Sequence, residues 1–175
     1  GYFKDEAATA ATVVDGWLHT GDIGEFNAEG YLKITDRKKD ILVTAGGKNV
    51  APQNIENQLK PYAGISQVVV VGDKRKFLSA LVTIDVDEMG KTLDVDLPAM
   101  EHCVDHVGVL AQIQSYVDTV NGELASYETV KKFCVLPRDF TVEDGELTPT
   151  LKVKRRIVQK QYDGLIDSMY DEKFE

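Results

Sequence analysis

Hydrophobic positions fall along this chain with two different periods. An unbroken apolar run, Val68-Val69-Val70-Val71, lies within residues 65–71. A run with no polar face predicts a strand covered on both sides, at the centre of a sheet rather than at its edge. Gly72-Asp73-Lys74-Arg75-Lys76 is a polar turn, and residues 77–84 pair back as a second strand. Lys132-Phe133-Cys134-Val135-Leu136 predicts a third strand, stopped by Pro137. Between the second and third strands, Leu110, Ile113, Val117, Val120 and Leu124 recur at three- and four-residue intervals, the spacing of an amphipathic helix lying on the sheet. Ile55 and Leu59 give one apolar face to a short helix over residues 53–60, and Pro52 suits its first turn. Val153, Ile157, Leu165, Ile166 and Met169 predict a single last helix over residues 153–169.

The first 35 residues have a different texture. Residues 5–14 are alanine-rich and predict a helix that Asp5 caps, and Asp15-Gly16 turns the chain. Two short strands, 24–26 and 31–34, are joined by the turn formers Asn27-Ala28-Glu29-Gly30. Such a hairpin alone is marginal. Residues 1–35 therefore read as the β-rich tail of a larger N-terminal domain, cut out of a longer protein, and residues 36–175 as a small α+β domain with a short hairpin and a three-stranded central sheet flanked by helices. Residues 85–108 are acidic and weakly patterned, and read as a variable helical insertion.

The two parts meet in residues 35–52, TDRKKDILVTAGGKNVAP. Its first six residues are too rich in charge to be buried as a core strand. Ile41-Leu42-Val43 is apolar enough to be one. Gly46-Gly47 then turns the chain or lets its backbone approach a ligand. The stretch reads as a hinge.

Charge narrows the function. Of 175 residues, 29 are acidic and 20 basic, a formal net charge of −9 that repels nucleic acid and anionic membrane surfaces. Phosphate binding must then be local, at Arg37-Lys38-Lys39 or at Lys152, Lys154, Arg155 and Arg156. No run of about 18 apolar residues predicts a transmembrane segment, and the N-terminus lacks signal-peptide form. Cys103 and Cys134 stand at no motif spacing and fit reduced thiols in a cytoplasmic protein. His102 and His106, four apart, share one face if helical, but no third ligand at a motif spacing supports zinc, and no metal site is assigned.

Three motifs in order carry a resemblance: WLHTGD at residues 17–22, TDRKKDILVTAGGKNVAPQNIE at residues 35–56, and LTPTLKVKRR at residues 147–156. Together they resemble the adenylate-forming (AMP-dependent) acyl-CoA synthetases, the superfamily that also holds luciferases and peptide-synthetase adenylation domains. TPTLKVKRR is similar to the long-chain fatty acid–CoA ligase branch, and the resemblance is weakest over residues 85–108.

The resemblance implies that this is the C-terminal mobile lid of a ligase that joins a fatty acid to coenzyme A through an acyl-adenylate, using ATP. Mg²⁺ would accompany the ATP, with its ligand outside these residues. Asp22 would accept both ribose hydroxyls, work for an acceptor-only carboxylate, although Thr-Gly-Asp alone is an ordinary turn. Arg37 would be the second ribose contact and Asp36 the hinge. Lys152 would bridge the acyl carboxylate and the nucleotide phosphate, where two anions meet and further charge develops. Lys154, Arg155 and Arg156 read as solvated or steering charges. The family often has glycine before this lysine, and Leu151 departs from that. After rotation, Gly46 and Gly47 would line the pantetheine passage, while Lys48 meets a CoA phosphate or stays solvated.

The partners are then fatty acid, ATP, CoA and the missing N-terminal domain, with the full-length protein free to sit peripherally at a membrane. The fragment alone holds no glycine-rich phosphate loop or acyl tunnel and is expected to be inactive. Two rivals are an adenylation domain that loads a carrier-protein thiol and a non-catalytic interaction module on the same fold.

Overall fold

The structure, a computed structural model, describes residues 1–171. The domain expected over residues 36–175 therefore has its last four residues outside the described ones. Helix α1 (Glu6–Thr12) begins where Asp5 accepts the Ala8 N–H at 2.8 Å, the expected cap. Strands β1 (Val13–Val14) and β2 (Trp17–Leu18) form a hairpin whose turn residues, Asp15 and Gly16, both take positive φ, 52° and 80°. That is the primed turn that suits strand twist. A second hairpin pairs β3 (Asp22–Phe26) with β4 (Leu32–Arg37), and its open end sets Asp22 opposite Arg37. Strands β5 (Leu42–Val43) and β6 (Asn49–Val50) close around Gly46-Gly47. Helix α2 (Pro52–Leu59) follows, with Pro52 in its first turn and Ile55 and Leu59 buried.

The central sheet holds β7 (Ile65–Val71), β8 (Leu78–Ile84) and β9 (Val130–Val135) in that spatial order, with β7 antiparallel and β9 parallel to β8. Return to a parallel strand requires a crossover. It is made by α3 (Val86–Leu93), a 3₁₀ turn (Met100–His102) and α4 (Val107–Asn121). On one sheet face, Val109, Ile113, Val117 and Val120 of α4 pack with Ile55, Leu59 and the Val68/Val70 side of β7. On the other, Val69, Val71 and Leu81 meet Val158 of α5 (Arg155–Gln161) and Ile166 of α6 (Asp163–Ser168). The three-stranded α+β architecture is the one the hydrophobic pattern predicts.

Three local expectations are corrected, and the stretch over residues 85–108 is located. The apolar strand β7 is an edge, not the centre: the central strand is β8, all seven residues of which are buried, Ser79 and Thr83 included. Strand β7 can be an edge because side chains seal it. Glu56 Oε1 accepts the Val70 N–H at 2.7 Å, and Arg155 Nη1 donates to the Val70 carbonyl at 2.8 Å. The last helix is broken at Tyr162 into α5 and α6, which buries Val158, Ile166 and Met169 while Ile157 and Leu165 remain exposed. Residues 85–108 are partly core, since Met89 and Cys103 are fully buried. His102 closes the 3₁₀ turn whereas His106 caps α4 by accepting the Val109 N–H, so the two do not share a helix face.

Candidate functional site

Asp22 is delivered by a tight turn. Gly21 has φ 74°, which favours glycine, and Thr20 Oγ1 accepts the Asp22 N–H at 3.1 Å. Opposite it on the hairpin, Arg37 brings its Nε within 2.6 Å of Asp22 Oδ1. The approach is off the N–H direction, so this buried oxygen has no well-angled hydrogen bond within the protein. It is an acceptor with capacity left over.

Asp36, between them in sequence, points the other way and is 1% exposed. Its Oδ1 accepts the Arg37 N–H at 2.6 Å, and its Oδ2 accepts the Gln53 N–H at 3.2 Å. Gln53 lies in the first turn of α2, where backbone N–H groups lack helical partners and the dipole favours a carboxylate. The expected hinge residue thus ties the β3–β4 hairpin to the following domain.

Lys152 lies at the end of a narrow loop closed by two backbone hydrogen bonds, which together define the antiparallel bridge between Leu147 and Val153. The Lys154 N–H donates to Glu146 C=O at 2.7 Å, and the Thr148 N–H donates to Lys152 C=O at 2.8 Å. Thr148 Oγ1 also accepts the Lys152 N–H at 3.0 Å. The tip is strained: Leu151 takes φ 59° and leaves its side chain exposed. The position where the resembling family often carries glycine has the backbone that glycine favours.

Two guanidinium–carboxylate pairs flank this loop, and sequence reasoning found neither. Before it, Glu146 is fully buried and accepts from Arg138 Nη1 at 2.8 Å, Arg138 Nη2 at 2.9 Å and the Thr141 N–H at 3.0 Å. This pairing holds the Arg138 guanidinium above its ordinary pKa, while burial, aided by the Glu146 charge, pushes the Tyr162 phenol up. After it, Arg155 forms a fork with Glu56 at 2.7 and 2.8 Å. Arg155 is thus not one of the solvated charges it was expected to join. The available signal was its place inside a run of cations that precedes an apolar helix, where one member must face inward.

Asp22, Arg37 and Lys152 line one cleft, together with Gln53, Asn57 and Arg155, and its volume of about 710 Å³ is that of a small-molecule site. Gly46, Gly47 and Lys48 do not line it. They form a separate turn in which Thr44 N–H donates to Lys48 C=O and Gly47 N–H to Thr44 C=O, with φ 74° at Gly47. A Cβ at Gly46 would approach only Thr44 Oγ1, at 3.8 Å. Lys48 Nζ sits 5.7 Å from the centroid of the Tyr127 ring.

Among the described residues no group of three or more His, Cys, Asp or Glu could hold a metal ion. Of the cleft carboxylates, Asp22 and Glu56 each face an arginine and Asp40 stands without the further ligands a Mg²⁺ site requires, so these residues do not fit Mg²⁺ and no step is routed through it. No helix among the described residues is long and apolar enough to cross a membrane.

The family described as "AMP-binding enzyme C-terminal domain" matches residues 39–174. Among curated proteins, the long-chain-fatty-acid–CoA ligase FadD15 of Mycobacterium tuberculosis is 42% identical over 180 residues, covering 99% of this chain and 30% of that protein. The human long-chain-fatty-acid–CoA ligase ACSBG1 is 38% identical over 196 residues, covering 99% of this chain and 27% of its own length. The chain therefore spans about 30% of the length of the curated relatives it matches. Among solved structures, the adenylation domain of a carboxylate reductase from Mycobacterium chelonae aligns with TM-score 0.80 and 28% identity, over 97% of this chain and 26% of that one. A fatty acyl CoA synthetase of Mycobacterium tuberculosis aligns with TM-score 0.52 and 30% identity, over 94% of this chain and 28% of that one.

Proposed function

We propose a function that proceeds from one premise: the chain belongs to the family of AMP-binding enzyme C-terminal domains. It is the lid, with the adjoining tail of the large domain over residues 1–35, of an ATP-dependent long-chain fatty acid–CoA ligase working in the cytoplasm. The observation that carries this reading is the shared cleft of Asp22, Arg37 and Lys152, from which the glycine turn is absent. That is the arrangement an adenylating orientation requires.

In the first half-reaction a carboxylate oxygen of the fatty acid attacks the α-phosphorus of ATP, the P–O bond to the β-phosphate breaks, and pyrophosphate leaves. Asp22 accepts the ribose hydroxyls with the capacity that Arg37 does not use, and Arg37 holds the carboxylate in place. The Lys152 ammonium lies between the two approaching anions and stabilises the charge that develops. The domain then rotates about Asp36, and Gly46 and Gly47 enter. The CoA thiol, losing its proton, attacks the acyl carbonyl and AMP leaves as the thioester forms. Lys48 meets a phosphate of CoA there.

The carboxylate-reductase likeness keeps one second reading in view, transfer to a carrier-protein thiol instead of CoA. Identities of 42% and 38% to CoA ligases favour CoA. The test is Lys152→Ala in the full-length protein, expected to slow acid-dependent ATP–pyrophosphate exchange by about 10² or more. Exchange at the parent rate overturns the assignment.

A further inference from the structure

We infer that Arg138 and Glu146 are positioning residues for the adenylation step: their fork, built on the buried Glu146 carboxylate, fixes the loop that presents Lys152, and it matters to the first half-reaction alone. This rests on the reading of Lys152 above.

The geometry points to it from both sides of Glu146. Its side chain, 0% exposed, is held by Arg138 Nη1 and Nη2 and by the Thr141 N–H. Its main chain is held as well, with N–H donated to Thr141 C=O at 3.1 Å and C=O accepting the Lys154 N–H at 2.7 Å. Glu146 is therefore the first rung of the ladder that ends at Lys152, and its carboxylate locks that rung to residues 138–141. A fork of two N–H groups onto two oxygens fixes orientation as well as distance, which a single contact does not.

The tip supplies an independent reason for such a lock. Leu151 holds a left-handed backbone at φ 59° with its side chain in solvent, so its own packing does nothing to keep it there. A residue bearing a Cβ stays in that region only when its surroundings over-determine it. What holds it is the turn to Thr148, whose C=O accepts the Leu151 N–H at 2.8 Å and whose Oγ1 accepts the Lys152 N–H at 3.0 Å, and next to Thr148 the rung at Glu146; Thr150 and Lys152 on either side are exposed. For stability alone, an apolar pair of similar volume does as well as a buried ion pair. What the pair adds is a unique geometry.

Because Lys152 acts in adenylation and is rotated away before thioester formation, a loosened loop must slow one half-reaction and spare the other. A merely structural pair would affect both. The experiment uses the full-length protein with Arg138→Met, Glu146→Gln and Arg138→Lys. Pyrophosphate exchange and thioester formation from supplied acyl-adenylate are measured separately, with a thermal melt of each variant.

Arg138→Met is expected to slow exchange about 10-fold, from a lysine displaced by a fraction of an ångström, with thioester formation within about twofold of the parent. Arg138→Lys, which keeps the charge and loses the fork, should fall between the two. In a Lys152→Ala background the Arg138→Met effect should vanish, because no ammonium remains to be misplaced. Equal loss in both half-reactions overturns the proposal, as does a full further 10-fold loss on top of Lys152→Ala. Should Glu146→Gln fail to fold, Arg138→Met decides, since that side chain is 38% exposed and its removal admits water. A Lys152→Ala variant that adenylates normally overturns the reading of the lysine instead. A selective Lys152→Ala with an unselective Arg138→Met overturns the positioning role alone.

Discussion

Replacing Glu56 by Ala strips three contacts at once and should be strongly destabilising although it lies outside the apolar core. The Glu56 and Arg155 side chains are 14% and 12% exposed, and both oxygens of the carboxylate face the guanidinium. Glu56 Oε1 also satisfies the Val70 N–H, on the open edge of the sheet. Removing one partner of a buried pair leaves a charge without compensation and costs about 3–5 kcal/mol, and an orphaned backbone N–H costs about 1–3 kcal/mol. One inflow of water relieves both, so the terms overlap rather than add, and we expect about 3–5 kcal/mol in total. At about 2–4 °C per kcal/mol for a chain of this size, Tm falls by about 6–20 °C. Exchanging both partners, as Glu56→Leu with Arg155→Met, should cost less than Glu56→Ala alone, because no charge is stranded. Thermal unfolding of the 175-residue chain is best followed by far-UV circular dichroism, since Trp17 is 77% exposed and its fluorescence does not report this core. A shift below about 2 °C for Glu56→Ala, or a double variant worse than the single, refutes the sealed-edge argument.

The two glycines of the turn should separate cleanly: Gly47→Ala, at φ 74°, costs about 1–2 kcal/mol, whereas Gly46→Ala, with open space around its Cβ, leaves Tm nearly unchanged in the same melt. Leu151→Gly should leave Tm unchanged or raise it despite deleting a side chain, because the relief of a left-handed leucine, about 1–3 kcal/mol, offsets the added chain entropy of glycine. A loss above about 1 kcal/mol there would mean the tip is not strained.

What could be read from the sequence was local. Asp22, Arg37, Gly46, Gly47 and Lys152 stand in short strings whose residue types suit the chemistry proposed for them, and the apolar run of β7 and the α4 stripe announce their buried faces. What could not be read depends on distance along the chain. Arg155 reaches Val70 across 85 positions and Glu56 across 99, and no local pattern tells such a cation from its solvated neighbours Lys154 and Arg156. The same contact explains the misplacement of β7, because an apolar run looks central until the side chains that cover its edge are known. Strand β8 was harder still to rank, since Ser79 and Thr83 dilute its apolar signal although both are buried. At the last helix, four-residue spacing picked Ile157, yet the break at Tyr162 buries Val158.

The central claim is a division of labour, with Lys152 serving adenylation and the glycine turn serving thioester formation on one rotating domain. It is tested most directly by measuring both half-reactions on both variants of the full-length protein, Lys152→Ala and Gly46→Leu. Gly46 is the right partner because its φ is not positive and its Cβ direction is open, so leucine obstructs without straining the turn. The account predicts a crossed result. Lys152→Ala loses about 10² or more in pyrophosphate exchange and keeps thioester formation from supplied acyl-adenylate, while Gly46→Leu keeps exchange and loses most thioester formation. Two variants that fall together in both assays, or a folded Gly46→Leu that makes acyl-CoA at the parent's rate, would contradict it.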